Sequence, residues 1–185
     1  MSDLISPLGT LAATAADIAA ARLSVIAPAT QLSFRGREAA IGPAGAGFGV
    51  DLPRQACRFA RSGARLAAWL GPDEWLLIAE DADPAALQAD LQAALAGLPH
   101  ALVDVSARAL GIAVEGPRAA YVLNQGCPLD LDEAAFPVGM ATRTVFAKAE
   151  IVLMRETPER FRVEVWRSFA PYAWGLLEEA RREFA

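Results

Sequence analysis

The chain has 185 residues, 54% of them hydrophobic and 21% charged, with a formal net charge of −5. This supplies enough length and apolar material for a buried core, and too little self-repulsion to suggest a disordered chain. The acidic balance argues against a phosphate-backbone partner, which would need clustered lysine and arginine, so no nucleic-acid partner is expected.

The first thirty residues, with the alanine-rich stretch Ala12 to Ile26 ended by Pro28, read as an N-terminal arm. They open without positive charge and carry Asp3 and Asp17, and the alanine run is too weakly apolar for a leader or a membrane span. A cytoplasmic location without a membrane partner is therefore expected. The two cysteines, Cys57 and Cys127, lie far apart without a Cys-x-x-Cys pair and read as reduced core thiols.

QLSFRGR, from Gln31 to Arg37, alternates as a strand does, and the glycine-rich IGPAGAGFGV that follows reads as a plain loop. No apolar strand leads directly into those glycines and no Lys-Ser or Lys-Thr follows them, so a phosphate cradle is not predicted. FARSGARLAAWL and WLLIAE read as two strands joined at Gly71-Pro72-Asp73-Glu74. Arg54, Arg58, Arg61 and Arg65 read as a solvated edge that discourages further strand pairing. Asp83 as cap, Pro84 as first residue and the series Leu87, Leu91, Ala94, Leu95, Leu98 specify a helix that ends near Gly97.

The stretch from Leu102 to Leu131 begins as one long apolar strand, LVDVSARALGIAV, turns at Glu115-Gly116, and enters a short helix that Pro117 opens and Gly126 closes. Ala120, Leu123 and Asn124 share one face of that helix. VFAKAEIVLM and FRVEVWR form a second hairpin across Glu156-Thr157-Pro158-Glu159, with Phe161, Val163 and Val165 on one face. Pro171 begins the last helix, with Ala173, Trp174, Leu177, Ala180 and Phe184 inward and Glu178, Glu179, Arg181 and Arg182 toward water. Hairpin followed by helix occurs twice. The fold class is α+β, a mostly antiparallel sheet with packed helices, arranged as a 1–30 arm and a 31–185 domain of two similar halves, about 31–100 and 101–185.

The search for reaction chemistry returns no catalytic, cofactor-binding or metal-ligating residue. His100, Asp104 and Ser106 are close in sequence, but on one strand His100 and Asp104 lie about 13 Å apart, beyond hydrogen-bond reach. Asp104 reads instead as the cap of a neighbouring loop or a partner of Arg108. A single histidine cannot supply a His-rich metal site. Asp130, Asp132 and Glu133 offer too few ligands for a calcium loop and read as a solvated connection.

Five stretches in series, GPDEWLL (71–77), LVDVSARALGIAVEGPRA (102–119), GCPLDL (126–131), FPVG with Arg143-Thr144, and RSFAPYAW (167–174), resemble the gamma subunit of heterotetrameric sarcosine oxidase. The similarity runs in order from about Ser33 onward. The resemblance implies a fold related to the folate-binding domain of the glycine cleavage T-protein. It also implies larger alpha and beta subunits and a small delta subunit as partners, with FAD, FMN, NAD and tetrahydrofolate held by those partners and no cofactor in this chain. The implied complex oxidises sarcosine to glycine, passes the one-carbon unit to tetrahydrofolate, and forms peroxide. A stand-alone folate-binding aminomethyltransferase of the T-protein type, or an adaptor of another N-methyl amino acid dehydrogenase, remains open at this level. Where the T-protein has a glycine-rich segment with an acidic residue, this chain has the turn RETPER (155–160). For an assembly subunit the working residues are aromatic and arginine anchors, and Arg108, Arg143, Arg167, Phe169, Tyr172 and Trp174 are the candidates.

Overall fold

The computed structural model describes residues 6–185. Met1 to Ile5 of the expected arm lie outside the described residues. The chain divides into two compact units. A continuous unit is built from residues 28–107 with 139–142, and a composite unit from residues up to 27, 108–138 and 143–185.

Before the continuous unit, the chain forms a short helix α1 (Gly9–Ala13) and the strand β1 (Arg22–Val25). The continuous unit then runs β2 (Thr30–Gly36), α2 (Glu38–Phe48), β3 (Phe59–Ser62), β4 (Arg65–Gly71), β5 (Glu74–Ala79), α3 (Pro84–Ala94) and β6 (His100–Asp104). Its sheet has the order β3-β4-β5-β2-β6, antiparallel throughout. Strands β2 and β4 are thus parallel with β5 between them, and β5 and β6 are parallel with β2 between them. This is the split βαβ pattern, in which each helix crosses over one intervening strand. Leu32, Phe34, Ala44, Phe48, Trp75, Leu77, Leu87 and Leu91 form its core. Trp75 satisfies its one polar atom by donating Nε1–H to the Pro53 carbonyl at 2.8 Å.

Two expectations for this unit are corrected. The glycine-rich 41–50 segment is a helix, α2, because Ala40, Ile41, Ala44, Gly45 and Phe48 present one buried face. Its glycines serve close approach: a Cβ on Gly47 would sit 2.9 Å from the Ala94 Cβ of α3. Gly49 ends the helix in the left-handed conformation, at φ 80°. FARSGARLAAWL is likewise two strands, β3 and β4, because Gly63 turns the chain at φ 55°. The arginine series is only partly a sheet edge: Arg61 lies on the edge strand β3 and Arg65 on the inner strand β4, and the edge does pair further, since Arg58 bridges Met140 and the Phe59 amide donates to the Gly139 carbonyl at 2.9 Å. Helix α3 follows the sequence reading closely: Asp83 Oδ1 accepts from the amides of Ala85 at 3.0 Å and Ala86 at 3.2 Å, and Pro84 is the first residue.

The composite unit contains β7 (Ala109–Glu115), α4 (Ala119–Asn124), β8 (Ala141–Phe146), β9 (Ala149–Thr157), β10 (Arg160–Trp166) and α5 (Ala170–Arg181). Its sheet order is β1-β7-β10-β9-β8. The same split pattern recurs, except that the strand expected after α5 is supplied by β1, which pairs antiparallel with β7 from Arg22↔Glu115 to Val25↔Ile112. Part of the expected arm is therefore a sheet strand. The stretch LVDVSARALGIAV is not one strand but β6 and β7, in different sheets, because Asp104 Oδ1 accepts from Ser106 N at 2.9 Å and from Ser106 Oγ at 2.6 Å and turns the chain. VFAKAEIVLM is likewise broken at Ala147, which adopts φ 52° between β8 and β9.

Side-chain facing in this unit also departs from expectation. Helix α4 buries Ala119, Val122 and Leu123 rather than a face through Ala120 and Asn124. Gly126 does not end it through a left-handed turn; a Cβ there would meet the Phe146 ring at 2.6 Å. Phe161, Val163 and Val165 share a buried face as expected. Arg181, expected in water, is 0% exposed. It grips both carboxylate oxygens of Glu178, at 2.7 and 3.1 Å, and donates to the Ala21 carbonyl at 3.1 Å, tying α5 to the segment before β1.

Candidate functional site

Strand β10 ends at Trp166, opposite Ala109 at the start of β7. The next amide, Arg167 N, donates to the Arg108 carbonyl at 2.8 Å, so the two arginines leave neighbouring strand ends together. A tight turn follows, closed by Phe169 N donating to the Trp166 carbonyl at 2.8 Å, and the Phe169 carbonyl accepts the Ala173 amide of α5 at 2.9 Å. Phe161, Val163 and Val165 point inward, so strand alternation turns Trp166 to the other face. Phe169 and Tyr172, three apart at the start of the helix, are neighbours on its surface.

Around this turn Trp166, Phe169 and Tyr172 are 45%, 41% and 39% exposed, with the exposed Arg108 and the half-buried Arg167 at the adjoining strand ends. Three exposed large rings within seven residues concentrate apolar surface around this turn, and exposed apolar surface is what marks interaction sites. Aromatic and arginine side chains are also the types that dominate binding energy when an interface closes over them. Four of the six candidate residues, Arg108, Arg167, Phe169 and Tyr172, are brought together here. Arg143 is placed elsewhere, on the edge strand β8, with its Nε 4.0 Å from Glu150 Oε1. Trp174 is only 1% exposed, so it fixes α5 to the core and presents no ring to a partner. Trp166, which the sequence allows at either a core or an interface position but which is not among the six candidates, is 45% exposed, and the inward alternation of Phe161, Val163 and Val165 carried that signal.

The groups first weighed for reaction chemistry have local duties. His100 Nδ1 lies 2.8 Å from the Leu98 carbonyl, and Ser106 Oγ accepts the Gln31 amide at 2.9 Å. Asp130 and Asp132 accept amides two residues on, each at 2.9 Å, and shape their own loop. Arg155, the first residue of RETPER, is buried against the Phe161 ring and donates to the carbonyls of Leu131 at 3.1 Å, Phe136 at 2.9 Å and Pro158 at 2.6 Å. This arginine holds the 127–136 loop in place. Arg160, at the far end of β10, pairs with Glu115 and Glu156. Burial acts to lower its pKa, but the hydrogen bonds to Glu156 and Glu115 raise it above the ordinary arginine value. Among the described residues no group of three or more His, Cys, Asp and Glu side chains is arranged to hold a metal ion. No helix among them is long and apolar enough to cross a membrane.

Fold and surface together define a small α+β chain of two split-βαβ units that carries an aromatic and arginine face. Residues 37–183 match the model of the sarcosine oxidase gamma subunit family, and the chain belongs to that family. It is 37% identical to sarcosine oxidase subunit gamma of Corynebacterium sp. (strain U-96), over 97% of this chain and 91% of the relative. In structure it matches a chain of the heterotetrameric sarcosine oxidase from Corynebacterium sp. U-96, solved with pyrrole 2-carboxylate, with TM-score 0.88, 35% identity and coverage of 97% of this chain and 95% of that one. A more distant likeness, to aminomethyltransferase T of the glycine cleavage system from Bartonella henselae, has TM-score 0.65 at 17% identity and covers 86% of this chain and 45% of that one. It shows the shared fold.

Proposed function

We propose that this chain is a non-catalytic assembly subunit of a heterotetrameric sarcosine oxidase, joined to its larger partners through the Trp166, Phe169 and Tyr172 face. The observation that supports this most directly is the near end-to-end match to a chain of such an assembly, 97% against 95%, combined with an aromatic patch exposed on this chain. On this reading the larger alpha and beta subunits and the small delta subunit carry FAD, FMN, NAD and tetrahydrofolate. Sarcosine is demethylated to glycine there, with peroxide formation and one-carbon transfer, in the cytoplasm. This chain contributes shape and contact surface.

The test is co-expression of the tagged chain with the larger subunits, followed by affinity capture and a visible spectrum. The expected eluate is yellow and contains the larger chains. Replacing Trp166, Phe169 and Tyr172 together by serine is expected to weaken capture by about 100-fold or more, the effect of losing one or two hot-spot side chains at about 2 kcal/mol each. A colourless eluate holding the wild-type chain alone would overturn the reading. A triple variant that still captures the larger chains at wild-type affinity would remove this face from the interface.

A further inference from the structure

A second feature of the composite unit has chemistry opposite to that of the aromatic face. The C-terminal end of α4, the turn between β8 and β9 and the second half of α5 enclose a groove of about 360 Å3. Its floor is apolar, from Gly126, Phe146, Leu176 and Ala180, and its lip carries the exposed carboxylates of Glu179 and Glu183. The floor has little slack, because any side chain at 126 would enter the Phe146 ring. The Ala147 amide, donating to the Gly126 carbonyl at 2.8 Å, holds the β8–β9 turn against the end of α4.

We propose that this groove receives a lysine or arginine side chain of a larger partner subunit. An apolar channel ending in carboxylates suits a side chain with a methylene stem and a cationic tip, which buries the stem and keeps the charge at the rim. The volume falls at the small end of the about 300–1,000 Å3 typical of ligand pockets, which fits one or two side chains better than a dinucleotide. Glu179 is paired within its own helix to Arg182, Nη1 lying 2.8 Å from Oε2, so an incoming cation would share that carboxylate, and Glu183 supplies a second one on the groove's lining. The net charge of −5 further favours a basic approach and makes the contact sensitive to salt.

This inference rests on the assembly reading, and the experiment separates the two. The double variant Glu179→Gln, Glu183→Gln keeps shape and removes charge, and its folding is checked by circular dichroism and melting temperature. Affinity for the co-expressed larger subunits is measured at low and high salt. The expected result is about tenfold weaker association at low salt, as for loss of a well-placed charge pair, with the gap to wild type closing at high salt. The charge-reversed variant Glu179→Lys, Glu183→Lys is expected to bind more weakly still. If wild type assembles and the double glutamine variant matches it at both salt concentrations, the groove is not a cation contact and the assembly reading stands. If wild type captures no larger subunit at all, the assembly reading fails and this contact fails with it.

Discussion

The two units share one strand order yet are held together differently. In the continuous unit the buried polar side chains are Thr30 and Gln31, and the core is otherwise apolar. The composite unit, drawn from three stretches of chain, buries Arg155, Arg162, Glu164 and Arg181. Several of these side chains bind groups distant in sequence: Arg181 reaches the Ala21 carbonyl, and Arg155 reaches those of Leu131 and Phe136. The contrast teaches how a discontinuous unit can be specified. Apolar contact is non-directional, whereas a guanidinium fork meets its acceptors in one geometry. A unit whose edge strand comes from residues 22–25 gains from such directional ties. The aromatic face also belongs to this unit.

The largest expected effect tests that polar core. Arg162 Nε and Glu164 Oε1 are 2.6 Å apart, with side chains only 2% and 1% exposed. Glu164→Ala removes a carboxylate bound to a buried guanidinium, and a loss of about 3–5 kcal/mol is expected in urea denaturation. The double variant Arg162→Met, Glu164→Leu removes both charges at similar volume and is expected to return to near wild-type stability. A Glu164→Ala loss below about 1 kcal/mol would erase the energetic side of the comparison.

For the continuous unit the matching test is apolar. Leu91 is 0% exposed in the core cluster under α3, and Leu91→Ala is expected to cost about 3 kcal/mol through lost burial and the cavity left behind. Here no second substitution of a charged partner should rescue it, which sharpens the difference from the Arg162 and Glu164 pair. The smallest expected effect lies at the start of the same helix. Asp83→Ala removes the side-chain cap on two amides and should lower stability by about 1 kcal/mol, with Asp83→Ser close to wild type, both read from the urea midpoint.

Local chemistry made part of this structure legible in advance. The Asp83-Pro84 helix start, the Gly71–Glu74 and Glu156–Glu159 turns, and the inward face Phe161, Val163, Val165 depend on residues within a few positions of one another. Part of what escaped depended on distant neighbours. The glycines of 41–50 suggest a loop until Ala94 of α3 packs beside Gly47. Gly126 suggests a helix end until the Phe146 ring fills the place of its side chain. The strand breaks at Gly63, Asp104 to Ser106 and Ala147 each split an apolar run that hydropathy alone joins. For the interaction face, Arg108, Arg167, Phe169 and Tyr172 were recognisable as anchor types. That Arg108 lies beside Arg167 required the pairing of β7 with β10.

By itself the sequence determined the α+β class, most of the elements and the membership in a family, because propensity, turn chemistry and motif text are written locally. The tertiary structure decided which arginines are buried, that residues 22–25 complete a sheet with residues 112–115, and which aromatics face outward. Those outcomes depend on burial and long-range hydrogen bonding, which exist only once segments far apart in the chain have come together.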